Sequence, residues 1–415
     1  MSARETVAVI GAGAVGACAA LALQRRGFAV TLIDRDAPGS GASYGNAGFL
    51  SASSIIPVAT PGILGRVPKM LRDPLSPLTI RWSYLPFLLP WLARFVRASR
   101  PEEVERIAAA LVPLILACRD DWRAAVGEDA YRALVRSTGI LTIFKSDAAF
   151  ARAQWAWELR RRHGIPFEIL EGAALRQQEP ALTPDVKAGI FVPQGAHAID
   201  PQALVQAAAA QFEAAGGMVR RGAVARVAKA SDGRPAPIID GAAVPFDRLV
   251  IAAGAHSRPL ARQCGIDVPL DTERGYHVML PRPGVMPRLP MLSGDHDFGI
   301  TPMAKGLRIA GTVELGGLNA APNWARAQQL LRMTEPYLGR IDASGAETWL
   351  GFRPSMPDSL PVIGRVPGNE RVILAFGHGH LGLSLGAVTG AMVAALAAGE
   401  TPAIDPTPYR PERFA

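Results

Sequence analysis

The sequence predicts an α/β protein: a Rossmann-like dinucleotide-binding domain assembled from three segments, joined to an α+β domain that carries an antiparallel sheet. Three observations predict it. An apolar β-type run, Thr6 to Ile10, leads into Gly11-Ala-Gly13-Ala-Val-Gly16. A second glycine-rich stretch, Gly377-His-Gly-His-Leu-Gly-Leu-Ser384, opens a long apolar run near the other end. Between them, Gly275 to Leu280 and Leu307 to Glu314 alternate in the manner of antiparallel strands.

The N-terminal elements follow in the order a dinucleotide site needs. After the first strand, Ala14 to about Arg26 is a helix rich in small residues. Phe28 to Ile33 is a second strand and ends at the acidic Asp34, near the expected ~20-residue offset. Gly11 permits the tight turn, Gly13 lets backbone approach a pyrophosphate, and Gly16 lets helix pack on sheet. The helix start offers free N–H groups and a positive dipole end to phosphate. Asp34 can accept hydrogen bonds from ribose hydroxyls, which disfavours a 2′-phosphate. One glycine loop would suggest a dinucleotide site. Two loops so far apart suggest one large cofactor spanning the domain, and FAD fits that better than NAD.

The middle of the chain reads as inserted material. Residues 57–75 are a Pro/Gly-rich loop, and Glu102 to about Val135 is helical. Gly139 to Phe144 is a strand, followed by a helix through Trp155 and Trp157. Ala188 to Val192 is a strand, and a helix begins at Asp200-Pro201 with Asp as N-cap and Pro in the first turn. Strands follow at about 223–228 and at Arg248 to Gly254, the second ending in small residues where backbone can approach a ligand. The domain bounds are 1–55, 195–260 and 345–415 for the dinucleotide domain, with 56–194 and 261–344 forming the substrate domain and its helical insertion.

Composition narrows the class. The 415 residues are 49% hydrophobic and 19% charged, with a net charge of +8 and a modest excess of arginine. The basic residues are scattered or paired, without the dense block that tracks nucleic acid, so no nucleic-acid partner is expected. Cys18, Cys118 and Cys264 lie far apart without metal or redox spacing, so no metal is expected and a reducing compartment fits. The first strand begins within six residues of Met1, leaving no secretory signal, and a cytoplasmic location is expected.

Two stretches imitate membrane segments. Leu381 to Gly399 is uncharged but rich in Gly and Ala, and reads as a buried helix of the cofactor domain. Thr79 to Arg97 contains Pro86 and Pro90 and crowds Trp82, Tyr84, Trp91 and Phe95 between arginines. It is too short and broken to span a bilayer. A core helical hairpin is the favoured reading. The other is an interfacial patch that would place the protein peripherally on the inner face of the cell membrane.

Nearly end to end, the chain resembles the FAD-dependent amine and amino acid oxidoreductases, and within them the D-amino acid dehydrogenase branch. The carriers are the first glycine loop with Asp34-Arg35, Gly41-Ala-Ser-Tyr-Gly-Asn-Ala-Gly-Phe-Leu-Ser51, and Arg274-Gly-Tyr-His277. To these add Trp349-Leu-Gly-Phe-Arg-Pro-Ser-Met-Pro-Asp-Ser-Leu-Pro-Val-Ile-Gly364 and Gly377 to Ser384. The Gly-His-Gly-His-Leu-Gly ending and Pro-Asp-Ser-Leu-Pro look closest to enzymes that oxidise D-hydroxyproline. The resemblance implies an FAD-binding domain of the glutathione-reductase type.

It also implies roles. Ala14, Val15, Asp34 and Arg35 hold the ADP half, with Val224 on the adenine side and Ala253-Gly254 at the close strand end. The Ser43 to Ser51 loop lies against the flavin ring, with Asn46 offering an amide and Ala47, Gly48 and Leu50 flanking it. Gly379, His380, Gly382, Leu383 and Ser384 present N–H groups and a helix dipole to the flavin edge that gains negative charge on reduction. Arg353 binds the substrate carboxylate, a task suited to a planar guanidinium, with a structural ion pair as its plainer explanation. Tyr276 adds a hydroxyl to that carboxylate or packs in the sheet, and His380 assists near the flavin or merely starts a helix. With no cysteine after Cys264, the FAD is expected to be noncovalent.

The implied reaction is dehydrogenation of a D-amino acid, with hydride leaving the α-carbon for flavin N5 and electrons passing to a quinone or another carrier. An oxygen-using oxidase of glycine, sarcosine or D-amino acids is the alternative. A non-catalytic flavin-binding subunit of a complex is the third. The oligomeric state is left open.

Overall fold

A computed structural model of the chain describes residues 4–65, 67 and 78–414. Two sheets organise it. The first has six strands in the order Met218–Arg221, Ala29–Asp34, Thr6–Ile10, Arg248–Ile251, Asn369–Phe376 and Val362–Val366. The first five run parallel and the last is antiparallel. Strands from three separated segments therefore make one Rossmann-like sheet, as the glycine motifs predict. Both faces are covered, so these strands read as continuous apolar runs. Val7 and Val9 join the core beneath the helices Ala14–Arg25 and Gly382–Ala397, while Ala8 and Ile10 face Leu260 and Ala261 on the other side.

The helical segment Gly379–Ala397, which contains the Gly382–Ala397 helix, is long and apolar enough to cross a membrane, yet most of it is buried inside the protein. Its glycines at four-residue spacing explain the burial. A Cβ at Gly386 would come within 3.1 Å of Ala14, and one at Gly390 within 2.6 Å of the Cys18 backbone. Only glycine lets the two helix backbones approach this closely. On its outer side the helix meets the long helix Pro101–Val126, where the Trp122 indole donates to the Leu383 carbonyl at 2.7 Å.

The second sheet has nine strands. Its main path runs Glu347–Ser355, Asp271–Leu280, Gly306–Leu315, Gly299–Met303, Met291–Ser293, Ile140–Phe144, Ala188–Val192 and Glu168–Glu171, with Leu78–Ile80 beside Gly306–Leu315. All pairings are antiparallel except Met291–Ser293 with Ile140–Phe144 and Leu78–Ile80 with Gly306–Leu315. The strand Glu347–Ser355, numbered within the 345–415 segment, pairs with Asp271–Leu280 in this second sheet. The helix Pro101–Val126, numbered within 56–194, shares its core with the dinucleotide sheet.

Several local expectations change. The helical stretch from Glu102 breaks at Gly127, whose φ of 84° ends Pro101–Val126 before the short helix Glu128–Leu134. Asp200 caps Pro201–Ala214 as expected, its carboxylate accepting from the Ala203 N–H at 3.1 Å. Within the expected 57–75 loop, residues 63–65 form a helical turn, while 66 and 68–75 lie outside the described residues.

Residues 79–97 do not form the favoured core hairpin. A 3-10 turn, Trp82–Tyr84, leads into one helix, Leu85–Ala98, which accepts Pro86 in its first turn and continues through Pro90. Leu88, Trp91 and Ala98 face inward, but Trp82, Phe87 and Leu89 are 68%, 75% and 54% exposed. The apolar residues outnumber the contacts one helix face can supply, so part of them is left on the surface.

Candidate active site

A single cavity of about 2040 Å³ runs from the start of the first helix to the strand that carries Arg353. At its N-terminal end, Gly11 has φ 104°, and its N–H donates to the Ile33 carbonyl at 2.8 Å. A Cβ on Gly16 would overlap the Gly11 carbonyl at 1.7 Å, so Gly16 serves packing and does not line the cavity. The Asp34 carboxylate accepts from the Ala12 N–H at 2.6 Å and the Asp36 N–H at 3.0 Å. It thereby closes the glycine loop while lining the cavity. Gly13, Ala14, Val15, Arg35, Val224, Ala253 and Gly254 all line this end. Gly13 has no side chain to cap the first helix, and Ser43 Oγ instead accepts from the Ala14 N–H at 3.1 Å.

The loop from Ser43 to Ser51 is fixed from several sides. Arg308 donates to the carbonyls of Tyr44 and Asn46 at 2.9 and 2.6 Å, and Thr301 Oγ1 donates to that of Ala47 at 2.9 Å. His277 Nδ1 lies 3.2 Å from the Gly45 carbonyl, and its ring stacks on Trp349 at 5.1 Å. A Cβ on Gly45 would meet the Trp349 ring at 1.9 Å, so the indole rests directly on the loop backbone. Ser384 Oγ donates to the Phe49 carbonyl at 2.9 Å and accepts from the Ser51 N–H at 3.3 Å, tying loop to helix.

The Asn46 amide is partly committed, because its Oδ1 accepts from the Gly48 N–H at 2.8 Å. Gly48 and Leu50 lie off the cavity wall. Gly48 closes the turn with φ 81° against the Ala198 carbonyl, and Leu50 is fully buried in a short strand pair with Ala196.

At the far end the two strands Asp271–Leu280 and Glu347–Ser355 set the chemistry. Their register opposes Glu273 to Arg353 and Gly275 to Gly351. Period-2 alternation sends Glu273, Gly275 and His277 to one face and Arg274 and Tyr276 to the other. The Arg353 guanidinium lies over Gly275, and donates to the carbonyls of Thr312 at 2.8 Å and Gly311 at 3.4 Å. Thr312 has φ 62°, a rare conformation for a β-branched residue, at the irregularity between the Arg274 and Tyr276 pairings. Strain held at such a position aims a carbonyl that a regular strand would direct elsewhere.

Among the described residues no acid stands within ion-pairing distance of Arg353, so the structural ion pair does not account for it. Burial pulls its pKa down and the Glu273 charge pulls it up.

Tyr276 borders the cavity, but its hydroxyl, expected to reach a substrate carboxylate or pack in the sheet, is committed to protein partners. Its hydroxyl donates to Glu314 at 2.6 Å and accepts from the Asn323 N–H at 2.8 Å, on the face turned away from Arg353. There Arg274 and Glu314, both fully buried, form an ion pair at 3.0 Å.

His380 lines the cavity at the 3-10 turn Gly379–Leu381, where desolvation is the main cause lowering its pKa. Gly379, Gly382, Leu383 and Ser384 line the cavity with it, and among the described residues no side chain caps the Gly382–Ala397 helix.

Sequence reasoning missed Glu273, Gly275, Thr312 and Trp349. Strand alternation across Glu273-Arg-Gly-Tyr-His277 could have placed Glu273 and Gly275 on one face and Arg274 and Tyr276 on the other. The starts of the helices Ala14–Arg25 and Gly382–Ala397 thus line one cavity, with Asp34 at one end and the Arg353 guanidinium at the other. That geometry fits a dinucleotide whose phosphates sit at the first helix and whose redox ring sits at the second.

Residues 6–396 match the model of the family described as FAD dependent oxidoreductase. The chain is 42% identical over 415 residues to a D-amino-acid oxidase of Bradyrhizobium diazoefficiens, covering 98% of each chain. It is 32% identical over 423 residues to a D-amino acid dehydrogenase of Paramagnetospirillum magneticum, again covering 98% of each. Among solved structures, glycine oxidase from Geobacillus kaustophilus superposes with a TM-score of 0.77 over 99% of both chains at 21% identity. An L-proline dehydrogenase from P. horikoshii gives a TM-score of 0.74 at 18% identity, over 100% of this chain and 98% of its own. The two structural likenesses speak for the fold.

Proposed function

The chain belongs to the family of FAD dependent oxidoreductases, and from that premise we propose that it oxidises D-amino acids to imino acids. The observation that carries this reading is the guanidinium of Arg353, half-buried at the end of the cofactor cavity with carbonyl partners and, among the described residues, no carboxylate within ion-pairing distance. A carboxylate ligand satisfies it, and the bidentate fork fixes that ligand's orientation.

FAD, when bound, supplies the two-electron acceptor. This chain's residues would hold it at the Gly11–Gly16 helix start, at Asp34, along the Ser43 to Ser51 loop and at the Gly379–Ser384 helix start. The positive end of the Gly382–Ala397 helix favours negative charge on whatever it faces. No cysteine lines the cavity among the described residues, and Cys18, Cys118 and Cys264 are buried elsewhere, in keeping with noncovalent FAD.

Arg353 fixes the substrate's carboxylate, and positioning of this kind supplies much of the rate. A primary imine product hydrolyses to a 2-oxo acid and ammonia. A cyclic amine of the D-proline or D-hydroxyproline type, the narrower substrate suggested by the Gly377–Ser384 sequence, gives a pyrroline carboxylate.

The electron acceptor we propose is a quinone or similar carrier reached at a membrane surface. The Leu85–Ala98 helix supports this, because Trp91, Leu92 and Phe95 line the cavity while Phe87 and Leu89 are exposed. Arg94, Arg97 and Arg100 flank that exposed surface and suit an anionic bilayer on the cytoplasmic side. The 42%-identical relative is named an oxidase, which favours oxygen as the second reading.

The test is anaerobic bleaching of the visible flavin band with D- and L-proline, cis-4-hydroxy-D-proline, D-alanine, glycine and sarcosine. Bleaching by D-amino acids alone supports the proposal, and bleaching by glycine or sarcosine instead overturns it. Peroxide formation in air separates oxidase from dehydrogenase.

A further inference from the structure

The cavity holds a second charged group that, among the described residues, has no oppositely charged side chain within ion-pairing distance. Glu273 is 6% exposed and lines the cavity on the same strand face as Gly275, directly opposite Arg353 in the register. One of its oxygens is fixed: Oε1 accepts from the Ser355 hydroxyl at 2.5 Å. The other oxygen has no hydrogen-bond donor, and no Lys, Arg or His stands within 4 Å of the carboxylate, among the described residues. A carboxylate this buried is costly unless a cation or donor meets it.

The groups around it do not supply that cation. Arg353 interacts with Glu273 electrostatically, but its hydrogen bonds go to the Thr312 and Gly311 carbonyls. His380, at the start of the C-terminal helix, is exposed and makes no ion pair with Glu273 among the described residues; the Glu273 charge raises its pKa, but desolvation lowers it more. Asp271, two residues along the same strand, is acidic and bonded to the Tyr84 hydroxyl at 3.0 Å. Ser355 is neutral. The missing cation has to come from the ligand.

We infer that Glu273 is the residue that receives the substrate's α-amino group, its free carboxylate oxygen meeting the ammonium while Arg353 meets the carboxylate. Both charges of a zwitterion then find their complements on adjacent strands of one sheet. The arrangement selects amino acids over hydroxy acids and simple carboxylic acids, because an uncharged group in the amine's place leaves Glu273 buried and unpaired. Ser355 acts as a positioning residue by holding Oε1, which turns the second oxygen towards the cavity. This inference rests on the amino acid reading given above.

The experiment is isothermal calorimetry on the FAD-loaded protein with two probes that lack an α-hydrogen and cannot be oxidised. 2-Aminoisobutyrate carries both charges, and pivalate replaces the amine by a methyl group at nearly the same shape. The wild type is expected to bind 2-aminoisobutyrate at least about tenfold more tightly than pivalate. Glu273→Gln should erase that preference while leaving pivalate affinity unchanged or improved, and Arg353→Gln should weaken both probes.

A preference that survives in Glu273→Gln overturns the inference but leaves the amino acid reading standing. Failure of the wild type to bind either probe, or equal affinities in wild type and Arg353→Gln, overturns that reading itself. Should Glu273→Gln not fold, Ser355→Ala keeps the carboxylate and frees its orientation. It should cut the preference several-fold, and an unchanged preference there counts against the inference.

Discussion

The Arg353 guanidinium occupies the space that a side chain on Gly275 would need: a Cβ built there would stand 2.5 Å from both Cζ and a terminal nitrogen. Gly275 has an ordinary extended conformation, so its role is room and not backbone freedom. Gly275→Ala should fold with its FAD but displace the guanidinium from the Thr312 carbonyl. We expect KM for the best D-amino acid to rise about tenfold, the scale of one charge-assisted hydrogen bond. An unchanged KM in steady-state kinetics would show that Arg353 does not need this position.

Arg353→Lys keeps the charge and loses the fork. A lysine ammonium is a point charge on a flexible stem and cannot hold the Thr312 carbonyl and a ligand carboxylate in one plane. KM should rise about 10- to 100-fold, with flavin content intact by absorbance. Loss of flavin with the same variant would assign Arg353 to the cofactor instead.

The sequence made the cofactor end legible because its residues act through local turn geometry, the glycines by backbone and Asp34 by a carboxylate that caps the loop. Gly11, Gly13, Gly16 and Asp34 work by turn geometry and spacing, which the order of residues encodes directly. Arg353 was legible through the resemblance carried by the Trp349 to Gly364 stretch, and a planar guanidinium suits a carboxylate. Tyr276 misled because its hydroxyl takes its partners, Glu314 and the Asn323 N–H, from other segments of the chain, which the local sequence does not show. Glu273 was invisible for the same reason, since it gains meaning only from standing opposite Arg353. The Leu85–Ala98 helix escaped because two prolines look like breaks, yet Pro86 needs no donor in the first turn and Pro90 is accommodated.

Tyr276→Phe tests the corrected role. The change strips one partner from buried Glu314 and one from the Asn323 N–H. Stability should fall by about 1–3 kcal/mol in chemical denaturation while KM stays within about twofold. A large rise in KM at unchanged stability would return the hydroxyl to the substrate.

Three buried histidines set an acid limit on the fold. Burial lowers His197 to about 4 and His277 and His378 to about 3, against 6.5 for the free side chain. Each is neutral in the fold, so on acidification the unfolded chain takes up the proton first. Stability is therefore complete above about pH 6.5 and is lost as pH falls below it. By pH 5 each histidine costs about 2 kcal/mol. His378→Gln, which can still reach the Thr389 hydroxyl, should flatten the decline by about a third in denaturation midpoints measured across that range. Identical slopes in variant and wild type would place the acid limit elsewhere.

Ser384 closes the cavity by one side chain. It donates to the Phe49 carbonyl and accepts from the Ser51 N–H, so the loop and the C-terminal helix cannot separate without breaking both bonds. All three residues line the cavity, and none of the bonds needs a ligand to form. In Ser384→Ala the buried Ser51 N–H loses its acceptor, which costs about 1–3 kcal/mol. If that cost falls on the loop alone, FAD affinity drops about tenfold or more while the apoprotein's thermal midpoint barely moves. If it falls on the whole core, the apoprotein midpoint drops and FAD affinity, measured by fluorescence quenching at a temperature where both proteins are folded, stays the same. We expect the first outcome, because the loop is held to the second sheet by Arg308 and Thr301 but to the helix chiefly through Ser384.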